Sequence, residues 1–414
     1  MTFTNNAKIF LKKVISLLLL LSILMACKKA EPFAPGTPVV PVPPVEIPAD
    51  TVPSMASVRS WLADKNASME TAAMFYNLKK ISRTNTLFGH QDDTKRGYVW
   101  ANEAQQPYVS TLQSDVKAVT GAYPAVYGHD FLHIANFADG DWYDYERNIA
   151  RQLTIEAYER GGINTYSWHY ANPVSKGSFY WDQSPVRAVN EILPGGAQHE
   201  VYKNSLKEIA HFSKSLVASD GKLVPVIFRP FHEFDGDWFW WGKAHCSASE
   251  YKSLYQFTVA YLRDSLGVHN FLYAWSPDCK FENESQYLER YPGDDFVDIL
   301  GMDNYWDLKE GNTPSTGGQK LKVVSDYAKK RNKVAALTET GLDNVTQSDW
   351  YTQVLLKVLK YTKMEIAYAL VWSNTKSHSW TPYKGHAAES DFINFKKDNY
   401  ILFSDEVKNM YEIK

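Results

Sequence analysis

Two glutamates close apolar runs in this chain, and each has neighbours suited to a reacting carboxyl group. Glu233 ends the run Val224-Pro-Val-Ile-Phe-Arg-Pro-Phe-His-Glu233, followed by an Asp-Gly turn and the aromatic string Trp238-Phe-Trp-Trp241. Glu339 ends a second run, Lys333-Val-Ala-Ala-Leu-Thr-Glu339, between Thr338 and Thr340. Two strands that each deliver one carboxyl group point to paired-carboxylate glycoside hydrolysis. A retaining enzyme of that kind needs its carboxyl groups about 5–5.5 Å apart, one as nucleophile and one as acid/base. The acid must keep its proton near neutral pH, which requires an apolar or anionic setting. Phe231, Phe234, Trp238 and Phe239 surround Glu233, which is therefore read as the acid/base. Glu339, in more polar company, is read as the ionised nucleophile.

These residues need elements to hold them. Eight short apolar runs read as strands: 86–89, 125–128, 163–168, 224–228, 271–275, 297–302, 334–338 and 366–372. Between them, Tyr202 to Leu216 and Ser249 to Leu266 carry apolar residues at helical spacing. Strands alternating with helices imply parallel βα units. Eight units without a Gly-rich phosphate turn after the first predict a (β/α)8 TIM barrel rather than a doubly wound sheet. In such a barrel the strands carrying Glu233 and Glu339, the fourth and seventh, face each other across the mouth. Every strand also ends in polar or aromatic residues, among them His90, His129, His169, Arg229, His232, Asp278, Asp303 and Asn374. A barrel gathers them on its C-terminal face, where such enzymes place their chemistry.

The string Arg229-Pro-Phe-His-Glu-Phe-Asp-Gly-Asp-Trp-Phe-Trp-Trp-Gly242, with Leu337-Thr-Glu-Thr-Gly341 and Trp168-His169, resembles glycoside hydrolase family 26, the β-mannanases. The resemblance covers essentially the whole globular region. It implies a retaining (β/α)8 enzyme acting on β-1,4-mannan, galactomannan or glucomannan, with the acid/base on Glu233 and the nucleophile on Glu339. It puts substrate-binding positions on Trp168, His169, His232, Trp238, Asp303, Tyr305 and Trp372. The residues alone stop at a β-glycan. Arg229 is expected to hold Glu339 ionised by charge-assisted hydrogen bonds, and Tyr305 to donate to the same group. Trp238 and Trp372 are expected to stack sugar rings, while one of Trp240 and Trp241 packs inward. The same chemistry on β-1,3-xylan or mixed-linkage β-glucan, or a non-catalytic glycan-binding protein, are the alternatives.

No cofactor or metal is expected. His129 and His133 have the spacing of a metal pair on a helix, but no third ligand at a telling spacing accompanies them. His232-Glu233 is no zincin helix, because position 236 is Gly. Asp92, Asp93 and Asp130 are a weaker possibility for calcium.

The chain has 414 residues and a formal charge of -3, without a basic patch for nucleic acid. Aromatic residues make up 14%, including 13 Trp, which favours stacking surfaces for sugars beside the core. The N-terminus reads as a lipoprotein signal peptide over residues 1–26. Lys8, Lys12 and Lys13 precede a short apolar stretch, and Ile23-Leu-Met-Ala-Cys27 resembles a bacterial lipobox. Lipidation of Cys27 would anchor the protein to a membrane without spanning it. That places it in the cell envelope, periplasmic or outer-membrane associated. Residues 27–53 form a Pro-rich tether, and residues 54–414 one catalytic domain, expected to be monomeric. Cys246 and Cys279 could pair in an oxidising envelope. The segments Tyr170 to Glu200 and Ser373 to Glu389 are candidate walls that decide between internal and chain-end attack.

Overall fold

The computed structural model describes residues 52–103 and 110–414. The signal segment, Cys27 and nearly all of the tether lie outside the described residues.

Eight parallel strands close on themselves: β1 (Thr86–Gln91), β2 (Val126–Asp130), β3 (Ile163–Trp168), β4 (Val226–Pro230), β5 (Phe271–Trp275), β6 (Ile299–Asp303), β7 (Val334–Thr340) and β8 (Tyr368–Val371). Each pairs with the next, and β8 pairs with β1, Leu87 lying opposite Tyr368. This is the expected (β/α)8 barrel. β3 and β5 fall on their predicted boundaries. β4 starts later than its apolar run because Pro225 has no N–H for the ladder. β7 runs further than predicted and carries Glu339 within it. A ninth strand, β9 (Ile401–Leu402), lies beside β1; two residues are too few to leave a periodic signal.

Nearly every strand residue is buried, as expected where helices cover one face of a parallel sheet and packed side chains fill the other. The helix His199–Lys214 turns Leu206, Ile209 and Phe212 inward. The helix Ala248–Ala260 starts from a Ser247/Glu250 capping box and ends in a wide turn, Tyr261–Ser265. At the N-terminal end of the barrel, helix Met55–Trp61 with its C-cap Leu62 and helix Met69–Ile81 supply Val58, Leu62, Phe75 and Leu78. These join Leu87, Val126, Ile163, Leu272 and Val334 in one apolar cluster. That end is sealed, which leaves the opposite end for chemistry.

Cys246 and Cys279 do not pair; both are free and buried. The Cys246 thiol is directed at the carbonyl of Trp241, at 3.4 Å, while Cys279 borders the cleft.

Candidate active site

The end of β4 is bent into an uncommon shape. Phe231 and Glu233 both have φ of 53°, a left-handed conformation that costs a non-glycine residue about 1–3 kcal/mol. The neighbouring elements fix all three peptides there. Tyr251 Oη donates to Phe231 O (2.9 Å), Trp241 Nε1 to His232 O (2.7 Å), and the Glu233 amide to Ser276 O (3.0 Å). Opposite, the β6–β7 register slips between Met302 and Asp303, so that Asp303 lies across from Glu339. A bulge of this kind re-aims side chains. Thr338, the residue passed over, donates to Asp303 Oδ1 at 2.6 Å.

These two distortions bring carboxylate oxygens of Glu233, Asp303 and Glu339 within 4.8 Å of one another. Arg229 is the cation among them. It donates to Asp303 Oδ2 (2.7 Å), to Ser276 Oγ (3.1 Å) and, closely, to Glu339 Oε1. Tyr305 Oη donates to Glu339 Oε2 at 3.1 Å. Among the described residues Glu233 has no cation of this kind; its Oε2 accepts from Trp238 Nε1 at 2.7 Å. The electrostatics follow from these partners. Burial, then the carboxylates of Asp303, Glu339 and Asp278, hold Glu233 protonated well above the usual carboxylate range. Burial works against the Arg229 charge, but Asp303 and Glu339 overcome it and raise its pKa further. One carboxyl group is thus suited to give a proton, and the other is braced on both oxygens to act as an anion.

On the neighbouring strands, His169 makes a short contact with Asp130, which also accepts from Ser167 Oγ at 2.8 Å. Burial disfavours the imidazolium, yet the Asp130 carboxylate raises the His169 pKa. Against burial, His169 and Ser167 hold Asp130 down at about 2. His232 lies edge-on to His169, ring centroids 4.7 Å apart. Burial and the nearby Arg229 charge keep it neutral, well below the usual histidine range.

The cleft divides into two parts. A cavity of about 890 Å3 is lined by Glu233, Trp238, Asp278, Tyr305, Trp306 and Trp380. A smaller one, about 210 Å3, is lined by Asp130, His169, Phe179, Tyr180 and Trp372. The structure therefore brings together Glu233, Glu339, His169, Trp238, Tyr305 and Trp372 around one groove. Trp168 is the exception. It is fully buried, stacks on Tyr170 with centroids 4.1 Å apart, and donates to Ala135 O. It presents no face to a ligand and belongs to the core. Asp303, Arg229 and His232 are buried, at 0%, 3% and 1% exposure, as is Glu339 at 3%. Trp240 and Trp241 both pack inward, where one of them was expected to.

The metal possibilities take other forms. His129 bonds Asn164 from the end of β2, while His133 lies in the following loop and bonds Glu146. Asp92, Asp93 and Asp130 pair separately with Arg96, His90 and His169. Trp380 and Lys280 were not singled out from the sequence. Trp380 comes from the long loop after β8, and no local spacing marks it.

An eight-stranded barrel with two carboxyl groups at this spacing, one bonded by the Trp238 indole and one braced by a cation, defines a glycoside hydrolase. The family model described as Glycosyl hydrolase family 26 matches residues 63–405. This chain belongs to that family. It is similar to the mannan endo-1,4-beta-mannosidase of Bifidobacterium adolescentis, at 36% identity over 369 residues, covering 83% of this chain. The match takes in only 36% of that longer protein. Among solved structures it is similar to GH26C from a Muricauda species, at 39% identity and a TM-score of 0.82, covering 87% of this chain and 98% of that one. A family 26 beta-mannanase from Bacteroides ovatus aligns at 36% identity and a TM-score of 0.75, over 84% of this chain and 98% of its own.

Proposed function

We propose that this protein hydrolyses β-1,4-mannan by a retaining double displacement. The observation that carries the reading is the short separation of the Glu233 and Glu339 oxygens, within 4.8 Å. Inverting enzymes keep their carboxyl groups about 6.5–9.5 Å apart to admit a water between them. Glu339, braced by Arg229 and Tyr305, attacks the anomeric carbon. Glu233 gives its proton to the departing glycosidic oxygen. Trp238 occupies Oε2 of Glu233, which leaves Oε1 to carry that proton. The Glu233 carboxylate then takes a proton from water as water opens the glycosyl ester on Glu339. Because Glu233 borders the 890 Å3 cavity, that cavity is the leaving-group side, and His169 and Trp372 serve the other. Asp303 keeps Arg229 in place, and Asp130 favours the charged form of His169 against its burial.

The names of the similar proteins support mannan as the polymer. The test is product analysis over time on unsubstituted mannan, galactomannan, mixed-linkage glucan and β-1,3-xylan, with Glu339→Ala as control. A ladder of manno-oligosaccharides from the mannans only, lost in the variant, is the expected result. Release from glucan or xylan instead would keep the mechanism and overturn the substrate. Binding without release of reducing ends would favour a glycan-binding protein. We also propose envelope anchoring through Cys27, supported by the Leu-Met-Ala-Cys27 sequence. Radiolabelled palmitate should enter the wild type and not Cys27→Ser.

A further inference from the structure

Glu233 opens a tight turn that Gly236 closes, the Gly236 amide donating to Glu233 O at 3.0 Å. With φ of 53°, Glu233 keeps its shape only where its surroundings over-determine it. Its amide donates to Ser276 O (3.0 Å), just after β5. Phe234 is buried against Tyr251 and Trp275, ring centroids 4.4 and 5.0 Å away. Asp235 then reaches the same β5 segment with its side chain. Its Oδ1 accepts from the Asp278 amide (2.6 Å) and its Oδ2 from the Lys280 amide (3.2 Å). A carboxylate that takes two amides of a neighbouring loop fixes the two segments against each other. The gripped segment also serves the rest of the site. Ser276 Oγ accepts from Arg229 at 3.1 Å, and Pro277 O from the Asp303 amide at 2.8 Å. Lys320 Nζ, from the helix Pro314–Lys330, adds an anchor by donating to Cys279 O at 2.8 Å. Gly236 has a different part. A Cβ there would lie 2.3, 2.4 and 2.6 Å from three carbons of the Trp238 six-membered ring, whereas non-bonded carbons rest about 3.5–4.0 Å apart. The indole thus lies directly on the glycine, and from there its Nε1 reaches Glu233 Oε2 at 2.7 Å.

We infer that Asp235 and Gly236 are positioning residues for the proton donor. Asp235 locks the turn of Glu233 to the segment that also holds Arg229 and Asp303. Gly236 admits the Trp238 indole that orients the Glu233 carboxyl group. Neither residue lines either part of the cleft, so both act through Glu233. The inference rests on Glu233 as the proton donor.

The experiment compares kcat/KM on two substrates. Mannotetraose releases a sugar oxygen that needs a proton; 2,4-dinitrophenyl β-mannobioside releases a phenolate that leaves without one. Glu233→Ala sets the full size of that split. Asp235→Ala and Gly236→Ala should lose about tenfold to a hundredfold on mannotetraose, the scale of a displacement near 1 Å, and less than about threefold on the aryl substrate. Asp235→Asn keeps one acceptor oxygen and gives up the other, so it should show the same split at smaller size. It stands in for Asp235→Ala if that variant does not fold by circular dichroism. Equal losses on both substrates would make the turn a general structural support and overturn the inference. Wild-type values on both substrates would overturn it as well. A Glu233→Ala protein without the split would overturn Glu233 as the proton donor, and the inference with it.

Discussion

Replacing Arg229 with Met removes the cation shared by Glu339 and Asp303 while keeping most of the side-chain volume. Arg229 is 3% exposed and Asp303 fully enclosed, so neither carboxylate left behind gains water to replace it. Breaking a buried pair in this way costs about 3–5 kcal/mol. The two carboxylates escape that cost only by taking up a proton, and a protonated Glu339 is no nucleophile. At 1.36 kcal/mol per decade, the loss corresponds to about two to nearly four decades in kcat/KM near neutral pH. The unfolding midpoint should fall by several degrees as well. Arg229→Lys restores the charge without the fork that reaches Ser276, Asp303 and Glu339 together. It should recover stability more fully than turnover. The assays are kcat/KM against pH on a soluble manno-oligosaccharide and thermal unfolding of the same variants. An Arg229→Met protein within tenfold of wild type, melting at the wild-type temperature, would refute the role given to this ion pair.

Other outcomes follow from the same geometry. Trp238→Phe removes the N–H that favours the Glu233 carboxylate; the Glu233 pKa should rise, and the alkaline limb of the kcat/KM profile should move to higher pH. A limb that stays in place or moves down would contradict the assignment. Asp130, held at about 2 against an ordinary 3.8, adds about 2 kcal/mol of stability above pH 4, which is lost as the pH falls through 2. His169 has its pKa raised instead, so its contribution is complete below its unfolded pKa and is lost as the pH rises through the folded one. Asp130→Asn should therefore flatten the stability profile on both sides, as read by urea unfolding across pH; an unchanged acid limb would count against the pair. Trp168→Ala should cost about 3–5 kcal/mol by leaving a core cavity. The surviving folded enzyme should keep a near-normal KM, whereas a large rise in KM would return Trp168 to the binding surface.

The barrel was legible because apolar runs, breakers and helical spacing recur eight times, and each strand end carries polar or aromatic residues. Glu233 and Glu339 were legible for the same reason, since each closes an apolar run with its own kind of neighbour. Trp168 misled because strand alternation does not tell which large ring at a β3 end faces the cleft and which turns into the helix layer. There it stacks on Tyr170. Asp303 and Arg229 were expected near Glu339, but the bond between Asp303 and Arg229 accompanies a register slip at Thr338, which no sequence spacing announces. Trp380 and Lys280 reach the cleft from loops whose paths are set by long-range contacts, such as Tyr351 Oη on Trp380 O and Asp235 on the Lys280 amide. The sequence left open whether Cys246 and Cys279 pair; in the structure they do not, one thiol being turned toward a carbonyl and the other lying by the cleft.

The central claim is that Glu339 and Glu233 act by two displacements. Proton NMR of the first reducing ends released from a manno-oligosaccharide, recorded before mutarotation, tests it most directly. The account predicts the β anomer as the first product. First appearance of the α anomer would mean a single displacement by water and would contradict the short carboxylate separation as the basis of the mechanism.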